Sequence, residues 1–312
     1  MPRYQIILNP TSGRGAGQAA LPAIKSYLDI KGLTYDIVLT ERPGHAIELA
    51  QAAVKAGYDM IVGAGGDGTA NEIINGLMQA QKAGLPPAVM GMLAVGRGND
   101  FAFGMNIPVG LDPGLQTLTT GHQVKIDVGL VTGGDFPQGR YFGNGVGIGF
   151  DAVVGFEALK LTWLSGFPSY IVAALKTIFL YYHAPTIRLD YDGHSENLSA
   201  LMVSIMNGRR MGGGFMMAPE SSNIDGLLDL CIARQVSRAR IFALIPHFMK
   251  GDQATQKSIS TARAKQVAVT AIQGSLPVHA DGETICTAGA SLTIELLPAQ
   301  LNLICQPAEE GA

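Results

Sequence analysis

An aspartate among glycines is the first chemical signal in the chain. Val62 to Glu72 reads VGAGGDGTANE, and Asp67 is its only acid before Glu72. The glycines suit a loop that wraps phosphate, with free N–H groups of a following helix behind it. A carboxylate beside phosphate is repelled unless a cation lies between them or the carboxylate faces a donor such as a ligand hydroxyl. Phosphoryl transfer brings that cation as Mg²⁺, which offsets and aligns the transferred group. The structural alternative is an aspartate that caps a helix starting at Thr69, and both roles can coexist.

The second signal is PVHADGETI, residues 277–285. Asp281 and Glu283 are two apart, so on an extended chain both project to one face, and Gly282 allows another backbone or a substrate to approach. Carboxylates so placed can take a proton from an attacking hydroxyl. Taken alone, Asp-Gly-Glu is also a common surface hairpin. His279 alternates onto the same face, but the six histidines show no HExxH or comparable spacing, and GxSxG is absent. Metal-dependent and serine hydrolases therefore have little support.

Two further loops could join Asp67. NPTSGRGAG (9–17) combines small hydroxyl residues, glycines and Arg14, and VGRGNDFA (95–102) carries Arg97 between glycines. Gly63-x-Gly65-x-x-Gly68 is a literal dinucleotide fingerprint, yet positions 84–95, GLPPAVMGMLAV, lack the acid that would take the ribose. No GK[ST] follows either, which excludes a Walker A loop. The stretch RRMGGGFMMAPESSNIDGLLDL (209–230) reads as a hairpin loop in which Asp225 and backbone carbonyls could hold a cation.

The elements that must position these loops change type along the chain. YQIIL (4–8), YDIVL (35–39), DMIVG (59–63) and AVMGMLAV (88–95) are strand-like and alternate with segments of helical periodicity. Such β-α units build a parallel sheet whose ligands bind at the carboxyl ends of the strands, where the three loops would converge. After about residue 120 strand-like runs follow one another, including KIDVGLVT, RYFGNGVGIGF, TIRLDYDG, LSALMVSIMN, LLDLCIA, KQVAVTAI and LTIELL. They predict an antiparallel sandwich, interrupted by helices near Pro168–Tyr182 and near Arg238–Lys250, the latter capped by Ser237. The expected fold class is α/β plus all-β, with an α/β domain over 1–122 and a β-sandwich over 123–312.

Composition narrows the partners. With 312 residues, 47% hydrophobic residues, 40 glycines and a formal net charge of -3, the chain is globular and has no overall field to hold nucleic acid. Arg234 to Lys265 carries seven basic residues and one acid, either a solvated face or a surface for anionic headgroups. Cys231, Cys286 and Cys305 lack CxxC spacing, which argues against a disulfide framework and a zinc site and fits a reducing cytoplasm. No signal peptide is expected. Phe167 to Tyr182 is too short for a span and carries Lys176, so no transmembrane helix is expected.

In order along the chain, NPTSG (9–13), GGDGT (65–69) with NEIING, GRGNDFA (96–102), APESSNIDGLLDL (218–230) and DGE (281–283) resemble the diacylglycerol kinase catalytic-domain family over nearly the whole length. The resemblance implies an N-terminal domain similar to NAD kinase and phosphofructokinase that binds ATP, and a C-terminal β-sandwich that accepts a lipid. It implies nucleotide contacts from Asn9, Pro10, Thr11, Ser12, Gly13, Thr40, Gly65, Gly66, Asp67, Gly68, Thr69 and Asn71, and from Arg97, Asn99 and Asp100. Asp67 would act through Mg²⁺-ATP. Glu283 is the expected general base with Asp281 as its partner or a metal contact, although sphingosine kinases give the base role to the aspartate matching Asp67. The bacterial branch further implies a structural Mg²⁺ at Ser222, Asp225 and Leu227.

One departure stands out: the family's usual Gly-Thr-Gly-Asn-Asp is here Gly-Arg-Gly-Asn-Asp, with Arg97 in place of threonine. A guanidinium could clamp phosphate more strongly, or fill the pocket and change the donor. The expected activity is Mg²⁺-dependent transfer of the ATP γ-phosphoryl group to a lipid hydroxyl, diacylglycerol-like or sphingoid-like. Such an enzyme is expected in the cytoplasm, visiting the membrane surface through the basic segment and apolar residues such as Trp163, Phe215 and Met216. A homodimer is compatible with this reading. A kinase for a soluble acceptor and a non-catalytic lipid or nucleotide sensor are the alternatives.

Overall fold

The computed structural model of the protein describes residues 2–161, 163–164, 166–180 and 184–307. The chain divides into two compact units, Met1–Asp127 with Pro298–Ala312, and Val128–Leu297. In chain order the elements are β1 (Arg3–Leu8), α1 (Ser12–Ile30), β2 (Thr34–Leu39), α2 (His45–Lys55), β3 (Met60–Gly65), α3 (Asp67–Lys82), β4 (Val89–Ala94), α4 (Asp100–Gly104) and α5 (Leu111–Thr120). They continue as β5 (His122–Gly133), β6 (Phe136–Phe142), β7 (Gly145–Gly149), α6 (Phe150–Leu159), α7 (Phe167–Leu180), β8 (Thr186–Tyr191), β9 (His194–Met206) and β10 (Leu228–Arg234). The chain closes with α8 (Arg238–Lys250), β11 (Ile259–Ala264), β12 (Gln266–Gln273), β13 (Leu276–Ala280), β14 (Glu283–Gly289) and β15 (Ser291–Cys305).

In the first unit β2, β1, β3 and β4 pair in that order, all parallel, and the end of β15 adds to β4 through Asn302 and Leu303. All six residues of β3 are buried, as expected of a parallel strand covered on both faces. Ile6, Ile61, Ile73 and Ile74 are fully buried, each contributing about 2 kcal/mol by removal from water. The chain leaves β1 to β2 on one side and returns as β3 on the other, so the loops after β1 and β3 flank a topological switch point, the usual ligand position in such sheets.

In the second unit β14, β13, β7, β9, β10 and β11 form antiparallel pairs. The first half of β9 pairs instead with β8, which pairs with β12, which pairs with β15. Residues of both sheet halves, among them Val203, Ile205, Leu230, Ile232, Ile187 and Val267, make one core. Alternate residues of the same strands, Met202, Met206, Cys231 and Ala233, face helices α6, α7 and α8 in a second cluster.

The expected fold class is what the structure has: a mixed α/β unit and an antiparallel β-sandwich. Ser237 caps α8, its hydroxyl accepting Arg240 N–H at 3.3 Å. The segment RYFGNGVGIGF, expected as one strand, is instead β6, a turn and β7, and its last residue opens α6. Gly149, at φ 89 and ψ -129, makes that strand-to-helix change in a conformation open essentially to glycine. The helix expected near Pro168–Tyr182 is α7; Tyr181 and Tyr182 lie outside the described residues. Among the described residues no helix is long and apolar enough to cross a membrane.

Candidate active site

Three loops of the first unit converge. Asn9 donates from Nδ2 to Thr69 Oγ1 at 3.3 Å and accepts the Thr11 N–H and hydroxyl at 3.1 and 2.9 Å. A Cβ on Gly13 would lie 2.4 Å from Val95 O, and one on Gly96 would lie 2.3 Å from Gly66 Cα. Ser12 Oγ is 3.7 Å from the Cβ position of Gly66. The loops are therefore backbone to backbone, an approach that only glycine permits. Gly13, Arg14 and Gly15 all have positive φ, 59, 60 and 95, so regular helix in α1 begins after them. Gly68 lies in the first turn of α3, Thr40 follows β2 with its N–H on Leu8 O at 2.9 Å, and Asn71 is buried beneath the loop.

The structure places Asp67 inside the first turn of its helix, not ahead of Thr69 as the N-cap. α3 begins at Asp67 itself after Gly66, without a side-chain cap. Its Oδ1 accepts the N–H of Phe101 at 2.9 Å, in the first turn of α4. A Cβ on Gly98 would meet Asp67 Oδ2 at 2.8 Å and Asp100 Oδ2 at 3.7 Å, so both carboxylates border one glycine. Asn99 turns the loop at φ 53 and donates to Gly96 O at 3.2 Å. Arg97 is exposed, and among the described residues nothing holds its guanidinium.

The extended geometry expected for Asp-Gly-Glu gives way to a turn. Asp281 and Gly282, at φ 49 and 84, are the two central residues of a hairpin between β13 and β14, a left-handed pair typical of the tightest hairpin turns. Asp281 and Glu283 therefore do not share a strand face. Asp281 accepts Gly143 N–H on Oδ2 at 2.8 Å, and Asn144 and Gly145 N–H on Oδ1 at 2.9 Å each. Its carboxylate fastens the turn, whereas Glu283, at the start of β14, is exposed. Asn144 extends the fastening by donating to Arg210 O at 2.9 Å, and Asn207 donates to Gly143 O at 2.8 Å.

Ser222, Asp225 and Leu227 lie in the loop between β9 and β10. Asp225 Oδ1 accepts Leu227 N–H at 3.1 Å, and its Oδ2 is 3.9 Å from Arg263, which also bonds Asp229 at 2.9 Å. The one charged donor of the set thus already faces a cation, and among the described residues no group of three metal-ligating side chains occurs. Asp225 is the single carboxylate of the set, and the other two donors expected there are main-chain oxygens. Arg263 is held in its charged form mainly by its hydrogen bond to Asp229, with Asp225 and Glu220 adding to it.

Elsewhere, Arg234 pairs with Glu196 at 2.8 Å, so part of the basic segment is neutralised locally. Trp163 is 69% exposed. Phe215 and Met216 are half-buried, and the Phe215 ring meets that of Phe167 at a tilt of 59° with centroids 5.3 Å apart. Glu72 was not anticipated as part of the site: it accepts the N–H groups of Gly44 and Ala46 at 2.8 and 2.9 Å and so ties α2 and the loop after Thr40 to α3. Its position after GGDGTAN was the only available signal, since the amides it meets are 26 and 28 residues away.

The first unit thus brings glycine-packed loops together at its switch point, and the second carries an acidic turn between β13 and β14. The family model described as diacylglycerol kinase catalytic domain matches residues 3–131, and that described as YegS C-terminal NAD kinase beta sandwich-like domain matches residues 144–305. A diacylglycerol kinase of Mycobacterium tuberculosis is 29% identical over 300 residues, covering 96% of this chain and 93% of its own. One from Staphylococcus saprophyticus is 27% identical over 282 residues, covering 90% and 88%. A crystal structure of a Bacillus anthracis protein assigned as a diacylglycerol kinase superposes with a TM-score of 0.80 at 25% identity, covering 98% of this chain and 95% of that one. The chain belongs to the diacylglycerol kinase catalytic-domain family, and with it to the phosphotransferases.

Proposed function

We propose that the protein is an ATP-dependent lipid kinase that moves the γ-phosphoryl group of MgATP to the hydroxyl of a diacylglycerol-like or sphingoid-like lipid. The observation that carries the donor half is the convergence of 9–13, 65–69 and 95–100 at the switch point, with Asp67 of the second loop packed against Gly98 of the third. Backbone amides there suit phosphate oxygens, and the carboxylates of Asp67 and Asp100 suit the Mg²⁺ that arrives with the nucleotide. Arg97, exposed and unengaged among the described residues, is assigned to phosphate.

The acceptor half is assigned to the second unit. Asp281 has both oxygens on backbone amides, which supports Glu283 as the group that receives the proton. The lipid hydroxyl oxygen bonds to the γ-phosphorus, the bond from γ-phosphorus to the β–γ bridging oxygen breaks, ADP leaves, and the hydroxyl proton passes to Glu283. The names of the relatives support a lipid acceptor, and the exposed Trp163 supports contact with a membrane surface. Work at that surface from the cytoplasm is part of the same reading.

Incubation with γ-labelled ATP and a total lipid extract tests it. Label in the organic phase supports the proposal, label only in a water-soluble product supports a soluble acceptor, and no label supports a binding protein without turnover.

A further inference from the structure

A gap in one row of the second unit's sheet is filled from above. His279 on β13, Gly147 on β7, Ser204 on β9 and Cys231 on β10 lie in register, so they share one face. Gly147 leaves a slot one side chain wide: a Cβ there would sit 2.4 Å from His279 Nε2 and 2.5 Å from Asp151 Oδ2. Asp151, in the first turn of α6, reaches down into the slot. Its Oδ2 accepts the Ser204 hydroxyl at 2.9 Å, and its Oδ1 lies 3.6 Å from His279 Nε2, longer than a full hydrogen bond. His279 and Ser204 are 7% and 0% exposed, so these contacts are closed to bulk water.

The other edge of the imidazole reads the acidic turn. His279 Nδ1 accepts the N–H of Gly282 at 3.2 Å, so the ring proton resides on Nε2, on the side of Asp151. Gly282 is the residue before Glu283. The turn is thus fixed from two directions: Asp281 grips the 143–145 amides, and His279 grips the turn's own amide.

We infer that His279, oriented by Asp151, is a positioning residue for Glu283: the Asp151–His279–Gly282 chain sets the direction in which Glu283 leaves the turn and ties that direction to helix α6. The inference rests on Glu283 as the proton acceptor of the proposed kinase. Reacting groups lose rate steeply with misplacement, and a shift near 1 Å can cost on the order of 100-fold. A glutamine at 279 has both an acceptor for the Gly282 amide and a donor for Asp151, whereas leucine has neither.

The test uses the full chain with MgATP and a total lipid extract, and compares wild type, His279→Leu, His279→Gln and Asp151→Asn. His279→Leu is expected to lower kcat roughly 10- to 100-fold with nucleotide affinity unchanged, and His279→Gln to recover most of it. A His279→Leu enzyme within about twofold of the wild-type kcat, or one changed in KM alone, overturns the inference. Should the leucine variant fail to fold, long-range proton–nitrogen NMR of the wild type still decides: an Nε2-protonated ring supports the chain, and a proton on Nδ1 overturns it. A wild type that transfers no label to any acceptor instead overturns the kinase reading, a separate result from an active wild type indifferent to His279.

Discussion

Asp67 and Phe101 are joined by a 2.9 Å hydrogen bond from the Phe101 amide to Asp67 Oδ1, so one carboxylate fastens the start of α4 to the start of α3. The group assigned to metal-borne phosphate is also a helix cap. Asparagine keeps the accepting oxygen and removes the charge, while alanine removes both. Asp67→Asn is expected to melt within a few degrees of wild type and to lose transfer by on the order of 100-fold or more. Asp67→Ala is expected to lose about 1 kcal/mol of stability as well. Thermal melts and initial rates on the same preparations separate the two roles.

Arg97 is exposed on a loop whose neighbouring glycines pack against Gly66 and Asp67, and nothing among the described residues holds its side chain. Its removal therefore costs the fold little, roughly within 0.5 kcal/mol. If it binds phosphate, Arg97→Thr loses a charge-assisted contact and weakens ATP binding about tenfold or more. Calorimetric titration with ATP checks this, and an unchanged affinity removes Arg97 from the donor site.

At the β9–β10 loop, Arg263 supplies positive charge beside Asp225 and Asp229. Without nucleotide, the wild-type melting temperature is expected to be the same in EDTA and in millimolar Mg²⁺. Arg263→Met is expected to melt lower and to gain a dependence on Mg²⁺. A wild-type stabilisation by Mg²⁺ that Asp225→Asn abolishes contradicts this account.

Glu157 on α6 is buried and paired with Lys160 and Lys176, whose hydrogen bonds, that of Lys160 foremost, lower its pKa below the ordinary glutamate value. A lowered carboxyl pKa stabilises the fold above the unfolded-state pKa, and the contribution disappears as pH falls through the folded-state value. The difference in melting temperature between wild type and Glu157→Gln should be full at neutral pH and shrink below about pH 4. A difference that grows with acid contradicts the pairing.

Much of this was legible in the sequence because it is local. Short apolar runs divided by helical periodicity gave β1 to β4, and the loops after β1 and β3 meet where parallel topology puts them. What depends on distant partners was not legible. Asp281 and Glu283 read as one strand face because spacing assumes extended chain; the left-handed Asp281 and Gly282 break that assumption, and the amides that reward the turn are over 130 residues away. α6 was not expected, and the strand read before it ran into its first residue because the change of structure occurs at Gly149, amid several glycines. Asp151 has no motif: its place follows from the side chain that Gly147 lacks.

The most direct measurement is transfer of label from γ-labelled ATP into the organic phase of a total lipid extract by wild type and Glu283→Gln side by side, with ATP affinity measured for both. The account predicts labelled lipid from the wild type, a rate lowered roughly 100-fold or more in the variant, and equal ATP affinity. Label confined to water-soluble product, or full lipid labelling by Glu283→Gln, contradicts it.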